Sequence, residues 1–473
     1  MGGGLLQLIA VGQIDQYLSV NPELSFYQYV YKKHTNFAME SRQLTFQKNP
    51  VLSPDSISNI VECNIPRHGD LLKEIYLCFT LPDIYSSDKY RFKWVNNIGN
   101  AIIKKASIYV DGMIIDQLTG EWMNIWNELT NEIGAEKYNK MIGNVSELYD
   151  PKMSKDRVTI KNNKFYYYYY PETTKDSDIP SISERKIVVP LKFWFSKSPS
   201  LALPLLRLQY NMVNIKIELE SSESLYKVFS PELETYISPT YYNELYNDNI
   251  NLKTFTKEYS FNPYIEANYV FLGDDERNTL FKKSKISYLV EQLNINTAQL
   301  FSSKSSASNN VNITVNTPTK EIIWTIKRDD ITKYNDHMNY SADVPESKNG
   351  ILEKALIRFY NNNRIEEKPA EYFNLIQPYQ YHSRVPKQGI YSYSFALYPE
   401  KEFLSGYYNA ALVNTNLYVY FNNKYNNDYI NTKLIKMKKT PYEFNYLVNV
   451  YCVTYNMFEI IGSQVGMKFT FSN

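Results

Sequence analysis

Two stretches of this chain carry the same punctuation, and no other feature narrows the choice of fold as much. The first runs PLKFWFSKSPSLALPLLRLQYNMVNIKIEL from Pro190, the second SYSFALYPEKEFLSGYYNAALVNTNLYVYF from Ser392. Each has an apolar run ending in Phe (Phe195, Phe395) and a Pro four residues later (Pro199, Pro399). Each breaks again, at Pro204 or at Ser405-Gly406, and closes in strict alternation: Ile215, Ile217 and Leu219, or Leu417, Val419 and Phe421. A period of two is what a strand with one buried face requires. The prolines between the runs remove ladder donors and turn the chain. The echo predicts two similar β-domains in tandem. At 473 residues the chain also exceeds what one hydrophobic core organises.

Other segments agree. In Ala106–Asp116, Asp111-Gly112 suits a type I′ turn flanked by alternating apolar residues, the strongest hairpin signal present. Leu71–Leu81, Tyr264–Leu272, Ile286–Ile295 and Leu447–Phe471 read as strands, and the 44 tyrosines favour a pleated, half-buried surface. One segment reads as helix: Trp122, Ile125, Trp126, Leu129 and Ile133 form one apolar stripe, with Gly134 as its stop. That stripe is expected to lie buried on a sheet. The polar stretches 221–260 and 302–320 read as loops, and the tyrosine run 161–170 as a strand whose edge must be covered. The domain reading is an N-terminal arm (1–24), a first β-domain (25–272, with insertions near 120–185 and 221–260), a linker (273–285) and a second β-domain (286–473).

Chemistry is scarce. No phosphate loop, dinucleotide fingerprint, HExxH, CxxC or nucleophile elbow occurs. His34, His68, His337 and His382 are dispersed without ligand spacing, so no metal site is expected; His382 is expected to cap a loop or meet a backbone carbonyl. Asp274-Asp275 and Asp329-Asp330 adjoin Arg277 and Arg328, but sequence neighbours cannot face each other across a cleft as a glycosidase requires. No catalytic residue and no cofactor is expected. Cys63, Cys78 and Cys452 read as reduced thiols, Cys63 and Cys78 as small buried hydrophobes. A net charge of +1 without a basic stripe argues against direct nucleic-acid binding. No apolar run reaches the length of a membrane span, GGGLLQLIAVGQ included. Sequons at Asn144, Asn312 and Asn339 permit glycosylation.

Six segments stand out in order: GGLLQLIAVGQIDQYLSVNPELSFYQYVYKKHTNFA from Gly3, WVNNIGNAIIKKASIYVDGMIIDQLTGEWMNIWNELT from Trp94, and PLKFWFSKSPSLALPLLRLQY from Pro190. VFLGDDERNTLF, SFALYPEKEFLSGYYN and the final TYNMFEIIGSQVGMKFTFSN complete the series. Together they resemble one family, the double jelly-roll major capsid proteins of nucleocytoplasmic large DNA viruses (iridovirus-, phycodnavirus- and mimivirus-like). Leu404 departs from the family's usual Pro, and the spacing around 221–260 differs.

The resemblance implies an all-β chain of two tandem eight-stranded antiparallel jelly rolls, with a few short helices in inserted loops. It implies a homotrimeric, pseudo-hexagonal capsomer that meets neighbouring capsomers in an icosahedral virion shell, made and assembled in the host cytoplasm. Segments 120–185 and 300–350 would then be outer loops. Residues 1–24 would lie beneath the barrels toward minor capsid proteins, with an inner membrane nearby but not spanned. The alternatives are a minor capsid paralogue or a jelly-roll receptor- or glycan-binding surface protein.

Overall fold

The structure, a computed structural model, describes residues 33–48, 52–54, 59–130, 134–151, 160–161, 164–165, 170–257, 261–304, 308–344, 346–422 and 428–469, besides 7, 9 and 10. All of the arm 1–24 but residues 7, 9 and 10, with Ile133 and most of the tyrosine run, lies outside the described residues.

Eight strands build the first half: β1 (Phe37–Leu44), β2 (Ile60–Asn64), β3 (Leu71–Leu81), β4 (Ile103–Val110), β5 (Met113–Leu118), β6 (Arg185–Pro190), β7 (Val213–Leu219) and β8 (Tyr264–Leu272). They form two antiparallel sheets, ordered β1-β8-β3-β6 and β2-β7-β4-β5. Eight more build the second: β9 (Lys285–Ser302), β10 (Asn309–Ile313), β11 (Pro318–Arg328), β12 (Leu352–Phe359), β13 (Asn362–Pro369), β14 (Ile390–Ser394), β15 (Thr415–Phe421) and β16 (Asn445–Ile461). Their orders are β9-β16-β11-β14 and β10-β15-β12-β13. Adding eight to each label of the first half gives the second. Each half is a jelly roll, two sheets face to face.

The echoing stretches turn out to be the same connection in the two barrels, β6 to β7 and β14 to β15. Strands β7 and β15 share one burial pattern, every second residue inside, as their alternation requires. In the hairpin β4–β5, Asp111 and Gly112 have φ of 48° and 81°, the positive values a type I′ turn demands. The second barrel's interior is a cluster around Trp324, Phe373, Val419 and Val450. The first barrel's core does not stop at its own sheets. It runs on into Leu293, Ile323, Tyr451 and Val453 of the second barrel.

Several polar segments are more ordered than their composition suggests. Within 221–260, strand Tyr226–Ser230 pairs on one side with Thr235–Ile237 and on the other with Phe92–Trp94, and helix Pro239–Tyr246 follows. These elements are too short to show a period, and one partner is distant in sequence. Within 302–320, β10 buries Val311 and Ile313 and turns Asn310 and Asn312 outward. The 273–285 linker contains the helix Asp274–Lys282, whose residues are all unburied, so no apolar stripe announced it. Nor are 120–185 and 300–350 simply outer loops: helix Gly120–Thr130 lies between the barrels, and β11 is a buried sheet strand.

That helix starts under close constraint. The Thr119 hydroxyl caps it, accepting from Trp122 N–H at 3.2 Å. A Cβ on Gly120 would overlap the backbone carbonyls of Asn100 and Ile103. Gly120→Ala is therefore expected to destabilise the protein by about 1–3 kcal/mol, and an unchanged denaturation midpoint would refute this.

Candidate assembly surfaces and the seam between the barrels

The stripe of helix Gly120–Thr130 buries Trp122, Ile125 and Leu129. Its surroundings include the second barrel: the Trp122 and Tyr451 rings lie 5.6 Å apart, and Trp126 stands edge-on to His382 at 6.2 Å. The β6–β7 connection sends Trp194 to the same seam, 5.2 Å from Phe458. Both contacts place large aromatic area where water is excluded, a substantial source of stability.

Ion pairs knit the seam further. Glu291 of β9 accepts from Lys197 of the first barrel at 2.7 Å and from Lys320 of β11. Burial pushes the Glu291 carboxyl up, but the two ammonium groups outweigh it and hold it below the usual range. Lys327 meets Glu121 at 2.8 Å, and Arg384 meets Glu128 at 3.6 Å. The Gln292 amide donates to Ile115 O at 2.8 Å. Below, Lys227 pairs with Asp336 at 2.8 Å, and Asn335 donates to Glu223 O and Tyr226 O. A cavity of about 450 Å³ opens at the seam, walled in part by Asp116, Trp122, Trp126, Trp194 and Glu291. Burial pushes Asp116 up to about 7, although it accepts from Trp194 N–H at 2.8 Å.

The histidines fall in four different settings. His34 is exposed, and His68 lies 3.1 Å from Glu40. His337 bonds to Ser224 O at 2.8 Å, and burial lowers its pKa. His382 does not meet a backbone carbonyl through its ring. It sits between Glu321 (3.4 Å) and Glu400 (3.2 Å). Burial works against its charge, but the two carboxylates prevail and raise it to about 9. Its partners stand 61 and 18 positions away (382 minus 321, 400 minus 382), so no local signal in the sequence could have found the cluster.

The acidic pairs are structural. Arg328 grips Asp330 through two bonds of 2.8 and 2.6 Å, and Asp329 accepts from Asn445 N–H at 2.9 Å. Asp274 and Asp275 open an exposed helix. All three cysteines are buried and unpaired. Among the described residues, no group of His, Cys, Asp and Glu could hold a metal ion, and no helix is long and apolar enough to cross a membrane. Of the sequons, Asn312 is exposed and Asn144 half-buried. Asn339 is buried, its amide donating to Asp336 and to Asp343 O.

A family profile described as "Major capsid protein N-terminus" matches residues 25–273, and one described as "Large eukaryotic DNA virus major capsid protein" matches 276–466. The major capsid protein of Phaeocystis pouchetii virus is 28% identical, with 99% of this chain and 100% of that protein covered. Capsid protein 1 of Acanthamoeba polyphaga mimivirus is 32% identical over 69% of this chain and 49% of its own length. Among solved structures, PBCV-1 VP54 superposes with a TM-score of 0.67 at 21% identity, covering 94% of this chain and 100% of that one. The Faustovirus major capsid protein gives 0.65 at 11% identity, covering 94% of each chain. These structural likenesses speak for the double jelly-roll fold.

Proposed function

Since the chain belongs to the family of major capsid proteins of large eukaryotic DNA viruses, and so is a structural protein of an icosahedral shell, we propose that its working unit is a homotrimer. Three chains would bring six similar barrels side by side into a pseudo-hexagonal capsomer. The observation that carries this reading is the repeated strand order, which gives each chain two blocks of one shape. A ring of three uses heterologous contacts, a different patch on each side of the joint. Such an obligate contact should bury on the order of 2,000 Å² or more.

On this reading, residues 25–272 and 286–473 are the two jelly rolls, joined by 273–285. Residues 1–24 reach minor capsid proteins beneath the shell, above an inner membrane that the chain does not span. Trimers form in the host cytoplasm and then meet neighbouring capsomers. Among the sequons, the exposed Asn312 is the one placed to accept a glycan. Purified protein is expected to sediment at three times the 55.5 kDa chain mass. A persistent monomer at micromolar concentration would overturn the trimer.

A further inference from the structure

The seam cavity is built by both barrels, and its wall holds a buried donor without a partner. Asp116, Trp122 and Trp194 come from the first barrel, Glu291, Gln292 and Glu400 from the second. The volume of about 450 Å³ lies within the range of roughly 300–1,000 Å³ that small-molecule pockets occupy. Trp194 has no exposed surface, and among the described residues its indole Nε1–H meets no acceptor. Its backbone N–H is already used, donating to Asp116 at 2.8 Å. A molecule in the cavity that accepts from the indole would relieve the cost of burying that donor bare. The Asp116 carboxyl, which burial keeps protonated up to about pH 7, adds an O–H to the same wall.

Acceptors line the cavity too. Glu400 still has a lone pair to offer beyond those taken by His382 and Ser383, and the Glu402 carboxylate is exposed. The charges around it cancel. Glu291 holds two ammonium groups, His382 holds two carboxylates, and Glu74 lies 3.4 Å from Lys73. Of the exposed lining residues, Lys192 and Glu402 are opposite in sign. An ionic ligand would therefore find no surplus of countercharge to offset its desolvation. Between the polar groups run Ile75, Leu118, Met123, Leu191 and Val453, an apolar strip.

We propose that this cavity binds a neutral polyhydroxylated ring, a monosaccharide in its pyranose form. A hydroxyl is the one neutral group that both accepts, as the Trp194 indole requires, and donates, as Glu400 and Glu402 require. The C–H face of the ring lies on the apolar strip. The site belongs to a single chain and needs no trimer, so it stands or falls apart from the oligomeric state.

Ligand-observed NMR on the purified full-length chain tests this, with the methyl glycosides of glucose, galactose, mannose and N-acetylglucosamine as probes. At least one is expected to bind saturably with Kd of about 1 mM or tighter. Trp194→Phe keeps a ring but removes the indole donor, and should weaken that glycoside about 10-fold. Glu402→Ala changes an exposed side chain, leaves folding intact and should cost at least about 3-fold. Trp324→Phe, which removes a buried indole from the second barrel's core, should leave the affinity unchanged. Failure of all four glycosides to bind would make the cavity a water-filled space and overturn the proposal. So would a glycoside affinity indifferent to both Trp194→Phe and Glu402→Ala, or saturable binding of benzoate or arginine in place of the sugars.

Discussion

Glu291→Gln is expected to cost about 3–5 kcal/mol of stability, the loss typical when one member of a buried ion pair is removed. Lys320 has no exposed side-chain surface, and Glu291 is its ion-pair partner across β9 and β11. Without that carboxylate the ammonium is left in a medium that solvates it poorly. The substitution also frees Lys197, the first barrel's cation in the same pair, so the damage should centre on the seam. Equilibrium urea unfolding followed by tryptophan emission reads this directly, because Trp194 and Trp126 lie there. The double variant Glu291→Met with Lys320→Met should recover most of the loss, because an apolar pair of similar volume removes the desolvation cost. A single variant within about 1 kcal/mol of wild type would show that the pair contributes little.

Raising the pH from about 6.5 to 9 should weaken the protein by up to about 3 kcal/mol through His382 alone. The folded group titrates near 9, the unfolded one near 6.5. Its stabilisation is thus complete below 6.5 and disappears as pH rises through 9. The charged ring lies between Glu321 on its Nε2 side and Glu400 on its Nδ1 side, both in the second barrel, while Ser383 and Arg384 next to it hold Thr130 O and Leu129 O of the first. Losing the charge therefore loosens the hook between barrels. Asp116 titrates in the same seam, but its window runs from 3.8 to about 7, below the upper part of the histidine's. His382→Gln should flatten that limb in urea-denaturation midpoints measured across pH. A slope unchanged by the substitution would assign it to other groups.

What could be read in the sequence follows the range of the interactions involved. Alternation in β7 and β15 and the Asp111-Gly112 turn are set by neighbours, and both stand where the sequence placed them. The echo of Pro190 and Ser392 marked equivalent connections, because the same turn between the same two strands imposes the same breaks. Trp122 and its stripe were legible as a buried face, but what buries them was not: Tyr451 is more than 300 positions away (451 minus 122). Helix Asp274–Lys282 has no buried side and left no period to find. The seam's charges were hidden for a related reason. Lys320 and His382 look like ordinary surface residues until β9, β11 and the β14–β15 connection are brought together.

The seam has a consequence for synthesis. The first barrel's half of it, Trp122 and Trp194 included, is translated before β9 exists to cover it. At about 5–20 residues per second, the remaining stretch takes on the order of 10–40 s to emerge. Throughout that interval the ribosome carries a folded domain with a greasy flank, in a cell making many copies at once. Nascent barrels are then exposed to pairing with a neighbour's second half instead of their own, and the short Asp274–Lys282 tether, by keeping the correct half at high local concentration, biases that race toward the proper match.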